Sequence, residues 1–250
     1  MPAGYARFAM GDAQVVVLEA LAPEIREVMA DGTLYEYGQS HPRARKLMGR
    51  GIAYAVPLPD GVTQVVIRRS RHGGLFAPVT RDRFLGSTRA PGELATSLRL
   101  RASDVQTPEL VAYATYPAGV LLKRSDVATR EIIGGRDLAF VLIGSPSAAI
   151  KRAALDATAL LLAKLCATGA RHPDLNLKNV LLARHNGELT AFVLDVDRVT
   201  FGRRSRDAIT EANLRRLEHS ARKWKQLYGA DVDAADFARL RARVAELSRA

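Results

Sequence analysis

The sequence predicts an α+β fold in which an N-terminal antiparallel-sheet lobe is followed by a small helical C-terminal lobe. Two observations carry this. β-like runs at 52–58 and 62–69 are separated by Pro59-Asp60-Gly61, a strong hairpin turn. Further along, 147–168 and 213–228 show helical spacing, the first with Ala and Leu on its inner face and the second basic on its outer side. Gly134-Gly135 interrupts the pattern between the two regimes, so a hinge is placed at 131–135, dividing the chain into a sheet lobe, 1–130, and a helical lobe, 131–250. The remaining elements follow in order. Residues 14–18 form a short strand, and 23–30 a helix with proline in its first turn. Residues 89–100 have helical spacing, while 110–116 and 120–123 are strands on either side of Pro117-Ala118-Gly119. In the second lobe, Val180-Leu181-Leu182 and 191–194 make a hairpin around His185-Asn186-Gly187. No internal repeat or low-complexity linker interrupts this order.

Composition narrows the class. With 250 residues and 48% hydrophobic content, the chain can bury a full core. A single cysteine, Cys166, excludes an intramolecular disulfide and fits a reducing compartment; its apolar surroundings at 160–167 mark it as a core residue, not a nucleophile. There is no zinc spacing, no secretory leader and no apolar run of bilayer length, so a soluble or peripheral protein is expected. The charge is more informative. Lys+Arg 37 against Asp+Glu 26 gives a net charge of +11 and a pI near 10.2. Arginines cluster at Arg68-Arg69-Ser70-Arg71, Arg203-Arg204-Ser205-Arg206 and Arg215-Arg216. Such a surface attracts polyanions, whether nucleic acid, acidic glycolipid or an anionic membrane face, although an arginine-rich proteome gives the same bias with no partner. Aromatic residues, at 6%, are not interleaved with the basic clusters, which argues against stacking on single-stranded nucleic acid. No nucleic-acid partner is expected.

The chemistry is concentrated in His172-Pro173-Asp174-Leu175-Asn176-Leu177-Lys178-Asn179 and in Leu194-Asp195-Val196-Asp197 at the end of an apolar run. A histidine two before an aspartate, an asparagine five after it and a second aspartate closing a strand are the working parts of a kinase-type phosphotransferase using ATP and Mg²⁺. A hydroxyl that attacks the terminal phosphate must be oriented and relieved of its proton, and the Asp174 carboxylate is the candidate base. Mg²⁺ is a hard ion that takes one or two side-chain oxygens besides phosphates and water, which suits Asn179 and Asp195. His172 is expected to brace the turn. Asp197 is either a further metal or water ligand or the partner of Arg198 or another arginine.

Together these residues resemble the lipopolysaccharide core kinase family, and within it the kinases of Kdo, the acidic octulosonic sugar joining lipid A to the core. The resemblance runs from about Gly49 onward. It is carried by Gly49-Arg50-Gly51; by Val65-Val66-Ile67-Arg68-Arg69 with Arg71-His72-Gly73-Gly74-Leu75; by 174–182; by Leu194-Asp195-Val196-Asp197-Arg198; and by Asn213-Leu214-Arg215-Arg216-Leu217. The basic-Gly-Gly string discriminates best, since generic kinases lack it.

The resemblance implies a bilobal protein-kinase-like fold and places further roles. Gly49, Arg50 and Gly51 would cover the ATP phosphates. Arg68 would replace the usual strand lysine, with Glu93 as its partner, and main-chain groups from Glu131 to Ile133 would meet the adenine. Arg71, His72 and arginines of the helical lobe would meet the sugar carboxylate or lipid phosphates. The absence of a protein-kinase activation segment after Asp197 argues against protein substrates. The implied reaction is ATP-dependent phosphorylation of a sugar hydroxyl, most naturally Kdo, in an inner-core precursor (Kdo-lipid A), by an enzyme held on the anionic cytoplasmic face of the inner membrane. The rival readings are a heptose or aminoglycoside type of small-molecule kinase, and a noncatalytic basic module on a kinase scaffold.

Overall fold

The structure is a computed structural model that describes residues 1–49, 51–70, 84–119, 121–202 and 205–249. Arg50, Arg71-His72-Gly73-Gly74-Leu75, Val120 and Arg203-Arg204 lie outside the described residues. The chain has a mixed α/β fold made of two compact units, Met1–Leu94 with Glu109–Glu131, and Ala95–Pro108 with Ile132–Ala250.

In the first unit, strands β1 (Tyr5–Met10), β2 (Ala13–Leu18), β3 (Arg45–Met48), β4 (Ile52–Pro57), β5 (Gln64–Arg69), β6 (Phe84–Leu85), β7 (Leu110–Pro117) and β8 (Leu122–Arg130) form an antiparallel sheet. Among the described residues its order is β1-β2-β7-β8-β5-β4-β3, with β6 also paired to β8. Alternation along each strand sends Val15, Val17, Val65, Ile67, Ala112, Ala114 and Ala128 into one core. Ile25 from helix α1 (Ala22–Val28) and Leu34 from helix α2 (Leu34–Ser40) complete that core. The same alternation turns Arg68 to the face opposite Ile67. Helix α3 (Ala90–Ala102) gives its first residues to this unit and the rest to the second.

The expected strands at 14–18, 52–58, 62–69 and 110–116 are present, whereas β1, α2 and β3 are additional. Strand β8 continues to Arg130, well past the expected 123. Its charged sequence hides it, because an interior position is filled by the carboxylate of Asp126. That carboxylate accepts the Tyr35 N–H at 3.1 Å while the Tyr116 hydroxyl accepts the Leu34 N–H at 3.0 Å, so two sheet side chains satisfy the opening of α2. Burial pushes the Asp126 carboxyl up to about 6, against the pull of the Tyr35 N–H and of Arg69. A raised carboxyl favours the folded state while protonated, an advantage complete below the unfolded value of 3.8 and lost as pH rises through about 6. Measured by thermal melting, the parent should therefore gain on Asp126→Asn by up to about 3 kcal/mol between pH 7 and pH 4. A difference that stays flat across that range would contradict the burial argument.

The second unit contains β9 (Arg136–Asp137), α4 (Leu138–Ile143), α5 (Ala148–Ala167), β10 (Ala170–Arg171), β11 (Val180–His185), β12 (Glu188–Val193), β13 (Thr200–Phe201), α6 (Arg206–Tyr228) and α7 (Ala234–Leu247). Helix α5 packs against α6 and α7, and its Leu161, Leu162 and Leu165 share a core with Leu214, Leu217, Leu240 and Val244. Cys166 is buried, as expected. The hairpin is also as expected: β11 pairs with β12 through a two-residue turn in which Asn186 and Gly187 have φ of 50° and 85°, the primed geometry that Asn-Gly favours. Helix α6 begins at Arg206, seven residues before the expected start, where the Ser205 hydroxyl accepts the Ala208 N–H. Helix α7 is additional, opened by a capping box between Asp233 and Asp236.

Candidate active site

Between β10 and β11 the chain makes the loop that carries Asp174 and Asn179, and β12 delivers Leu194 and Asp195 beside it. Four hydrogen bonds close a ring through these segments. The Asp174 N–H reaches His172 Nδ1 at 3.3 Å; His172 Nε2 lies 3.0 Å from the Leu194 carbonyl; the Leu194 N–H donates to the Asn179 carbonyl at 2.9 Å; and Asn179 Nδ2 donates to the Asp174 carbonyl at 2.9 Å. Because Nδ1 accepts, the proton of the neutral ring sits on Nε2 and is donated to Leu194. The imidazole is fully buried, and that burial pushes its pKa down, keeping it in this neutral form. His172 thus braces the turn.

The structure brings Asp174, Asn179 and Asp195 together on this frame. Asn179 spends its amide N–H on the loop, which leaves Oδ1 as a hard oxygen donor. Asp195 stands in the left-handed region, φ 53° and ψ 50°, a conformation aspartate tolerates better than most residues. Its carboxylate is exposed and, among the described residues, caps nothing. One amide oxygen and one open carboxylate fit Mg²⁺, which needs few protein ligands when phosphates and water supply the others. Asp197 is half-buried in the short turn Val196–Arg198.

The other expected residues lie mainly in the first unit. Arg68 Nη2 is 2.5 Å from Glu93 Oε1, with the carboxylate buried at the start of α3. Gly49 and Gly51 belong to the turn of the β3–β4 hairpin, where the Gly49 N–H donates to the Gly51 carbonyl at 3.1 Å. Glu131 is more committed than expected: its N–H donates to the Gln64 carbonyl at 2.9 Å and its side chain pairs with Arg45. Ile133, in the second unit, is exposed.

Two residues that the motif reading did not assign hold the loop from α6. Asn213 accepts the His172 N–H at 2.9 Å through Oδ1 and donates to the Ala170 carbonyl at 3.0 Å through Nδ2. Ser220 Oγ accepts the Leu177 N–H at 3.2 Å. Both are polar residues at buried positions of an amphipathic helix, which is the signal that marks them.

A base candidate, a hard-oxygen pair and a rigid frame on a mixed α/β scaffold are the equipment of a phosphotransferase with an alcohol acceptor. A model of the lipopolysaccharide kinase (Kdo/WaaP) family matches residues 43–242. The 3-deoxy-D-manno-octulosonic acid kinase of Xanthomonas oryzae pv. oryzae is 33% identical over 229 residues, covering 84% of this chain and 83% of that protein. The protein of the same name from Vibrio vulnificus is 26% identical over 179 residues, covering 70% and 71%. A solved structure of WaaP in complex with acyl carrier protein aligns with a TM-score of 0.57 at 19% identity, over 94% of this chain and 92% of that one, and has the same fold. The chain belongs to the Kdo/WaaP lipopolysaccharide kinase family and is a sugar kinase.

Proposed function

We propose that this kinase transfers the terminal phosphoryl group of ATP to a hydroxyl of Kdo in a lipopolysaccharide inner-core precursor, using a bilobal protein-kinase-like arrangement with its hinge near 131–135. The observation that carries the reading is the hydrogen-bonded ring that holds Asp174, Asn179 and Asp195 on one loop and hairpin. Asp174 orients the acceptor hydroxyl and takes its proton. Asn179 Oδ1 and Asp195 hold Mg²⁺, which when bound offsets the charge of the phosphate oxygens. Arg68, kept in place by Glu93, steadies the phosphates under the Gly49–Gly51 turn. The adenine is met by the Glu131 carbonyl and the Ile133 main chain, since the Glu131 N–H is given to Gln64.

The acceptor is anionic and lipid-borne, and the net charge of +11 supports docking on the anionic cytoplasmic face of the inner membrane. Among the described residues no helix is long and apolar enough to cross a membrane. The test is mass analysis of Kdo-lipid A after incubation with ATP, Mg²⁺ and the purified protein. A gain of one phosphate on Kdo, lost in Asp195→Ala, is the expected result. Phosphate appearing on heptose or an aminoglycoside in preference to Kdo would transfer the assignment to a rival acceptor, and no Mg²⁺-dependent turnover at all would favour a binding module.

A further inference from the structure

Asn213, Arg216, Ser220 and Trp224 follow one another on α6 at intervals of three or four residues and so share one side of the helix. That side grips the catalytic loop. Asn213 and Ser220 hold its main chain, and Lys178 lies 5.7 Å over the Trp224 ring. Arg216 instead meets a side chain, with Nη2 3.4 Å from Asp174 Oδ1.

Two features distinguish Arg216 from its neighbours. The contact is long, 3.4 Å, where Arg222 on the same helix meets Glu218 at 2.6 Å. Its side chain is also 45% exposed, whereas Asn213 and Ser220 are 1% and 8% exposed. A guanidinium carries five N–H donors, and among the described residues this one spends a single N–H, on the candidate base. The other polar residues of the loop cannot do the same job. Asn176 uses both ends of its amide within the loop, donating to the Asp174 carbonyl and accepting the Lys178 N–H, both at 2.9 Å, and the Lys178 ammonium is turned toward Trp224.

We infer that Arg216 is the residue that selects the acceptor, binding a carboxylate on the sugar while the hydroxyl to be phosphorylated rests on Asp174. The inference rests on the proposed function, whose acceptor carries that carboxylate, and adds the residue that reads it. A planar guanidinium matches a carboxylate with two parallel hydrogen bonds, which a lysine ammonium does not reproduce. Because the same group touches Asp174, binding the acid also fixes the geometry between acceptor and base.

The test compares Kdo-lipid A with its carboxyl methyl ester as acceptors for the parent, Arg216→Met, Arg216→Lys and Arg215→Met. Arg215 is the neighbouring arginine, paired with Glu211, and controls for lost charge. The parent should prefer the free acid by about 10- to 100-fold in kcat/KM, the worth of a charge-assisted hydrogen-bonded pair. In Arg216→Met that preference should vanish, chiefly through the acceptor KM, with the ATP KM unchanged. Arg216→Lys should recover part of it, and Arg215→Met should behave as the parent. A preference retained in Arg216→Met overturns the inference. So does a loss falling equally on both acceptors through kcat, which would make Arg216 only a support for Asp174, or a rise confined to the ATP KM, which would assign it to the nucleotide. A parent that phosphorylates neither acceptor overturns the proposed function as well, which separates the two failures.

Discussion

Asp174→Asn should lower phosphoryl transfer by about two to four orders of magnitude while leaving the melting temperature unchanged. The substitution keeps shape and removes the ability to accept a proton. Stability should respond far less than activity, because the loop leans on the Asp174 main chain: the carbonyl takes the side-chain amides of Asn176 and Asn179, and the N–H goes to His172 Nδ1. The carboxylate itself is partly exposed and meets Arg216 at long range. Steady-state rates with saturating ATP and acceptor measure the effect. A loss of less than about tenfold would place the proton acceptor elsewhere.

Asn213→Leu should produce the largest loss of stability. Leucine keeps the branched outline, though its methyl groups are bulkier than the amide, and it leaves the His172 N–H and the Ala170 carbonyl without the partners they have at 2.9 and 3.0 Å. Each buried polar group left unpaired costs about 1–3 kcal/mol, so the melting temperature should fall by about 5–20 °C. Asn213→Asp keeps an acceptor for His172 but sets a buried carboxylate oxygen against the Ala170 carbonyl, so its loss should shrink as the pH falls and the protonated carboxyl donates to Ala170 again. A change below about 2 °C in Asn213→Leu would mean that water replaces the amide and that α6 does not brace the loop.

How much of this was legible depended on whether the cause was local. The β11–β12 hairpin was legible because Asn186-Gly187 prefers a single tight turn, and helix α5 because its apolar spacing is sustained. That the Asp174/Asn179 loop and Asp195 lie side by side was legible because the kinase-type pattern sets residue types at short spacing. Strand β8 was hidden by Lys123, Arg124 and Asp126, since a buried carboxylate contradicts strand patterning and is tolerated only where α2 supplies an N–H. Strand β3 is exposed along its length and offers no alternation to read. Helices α2 and α7 do carry local signals, in the Thr33/Glu36 and Asp233/Asp236 capping boxes, that patterning by hydrophobicity passes over. The grip of Asn213 and Ser220 on the loop joins residues 41 and 43 positions apart, and no local rule pairs them.

The closed circuit linking His172, Asp174, Asn179 and Leu194 runs through main-chain atoms, an imidazole and one amide, and neither acidic side chain takes part in it. Chemistry and scaffold are thereby separable here. Under the proposed function, a variant silenced at position 174 would keep an intact cradle and would suit the capture of nucleotide and glycolipid side by side, halted before transfer, for direct visualisation of the Michaelis complex.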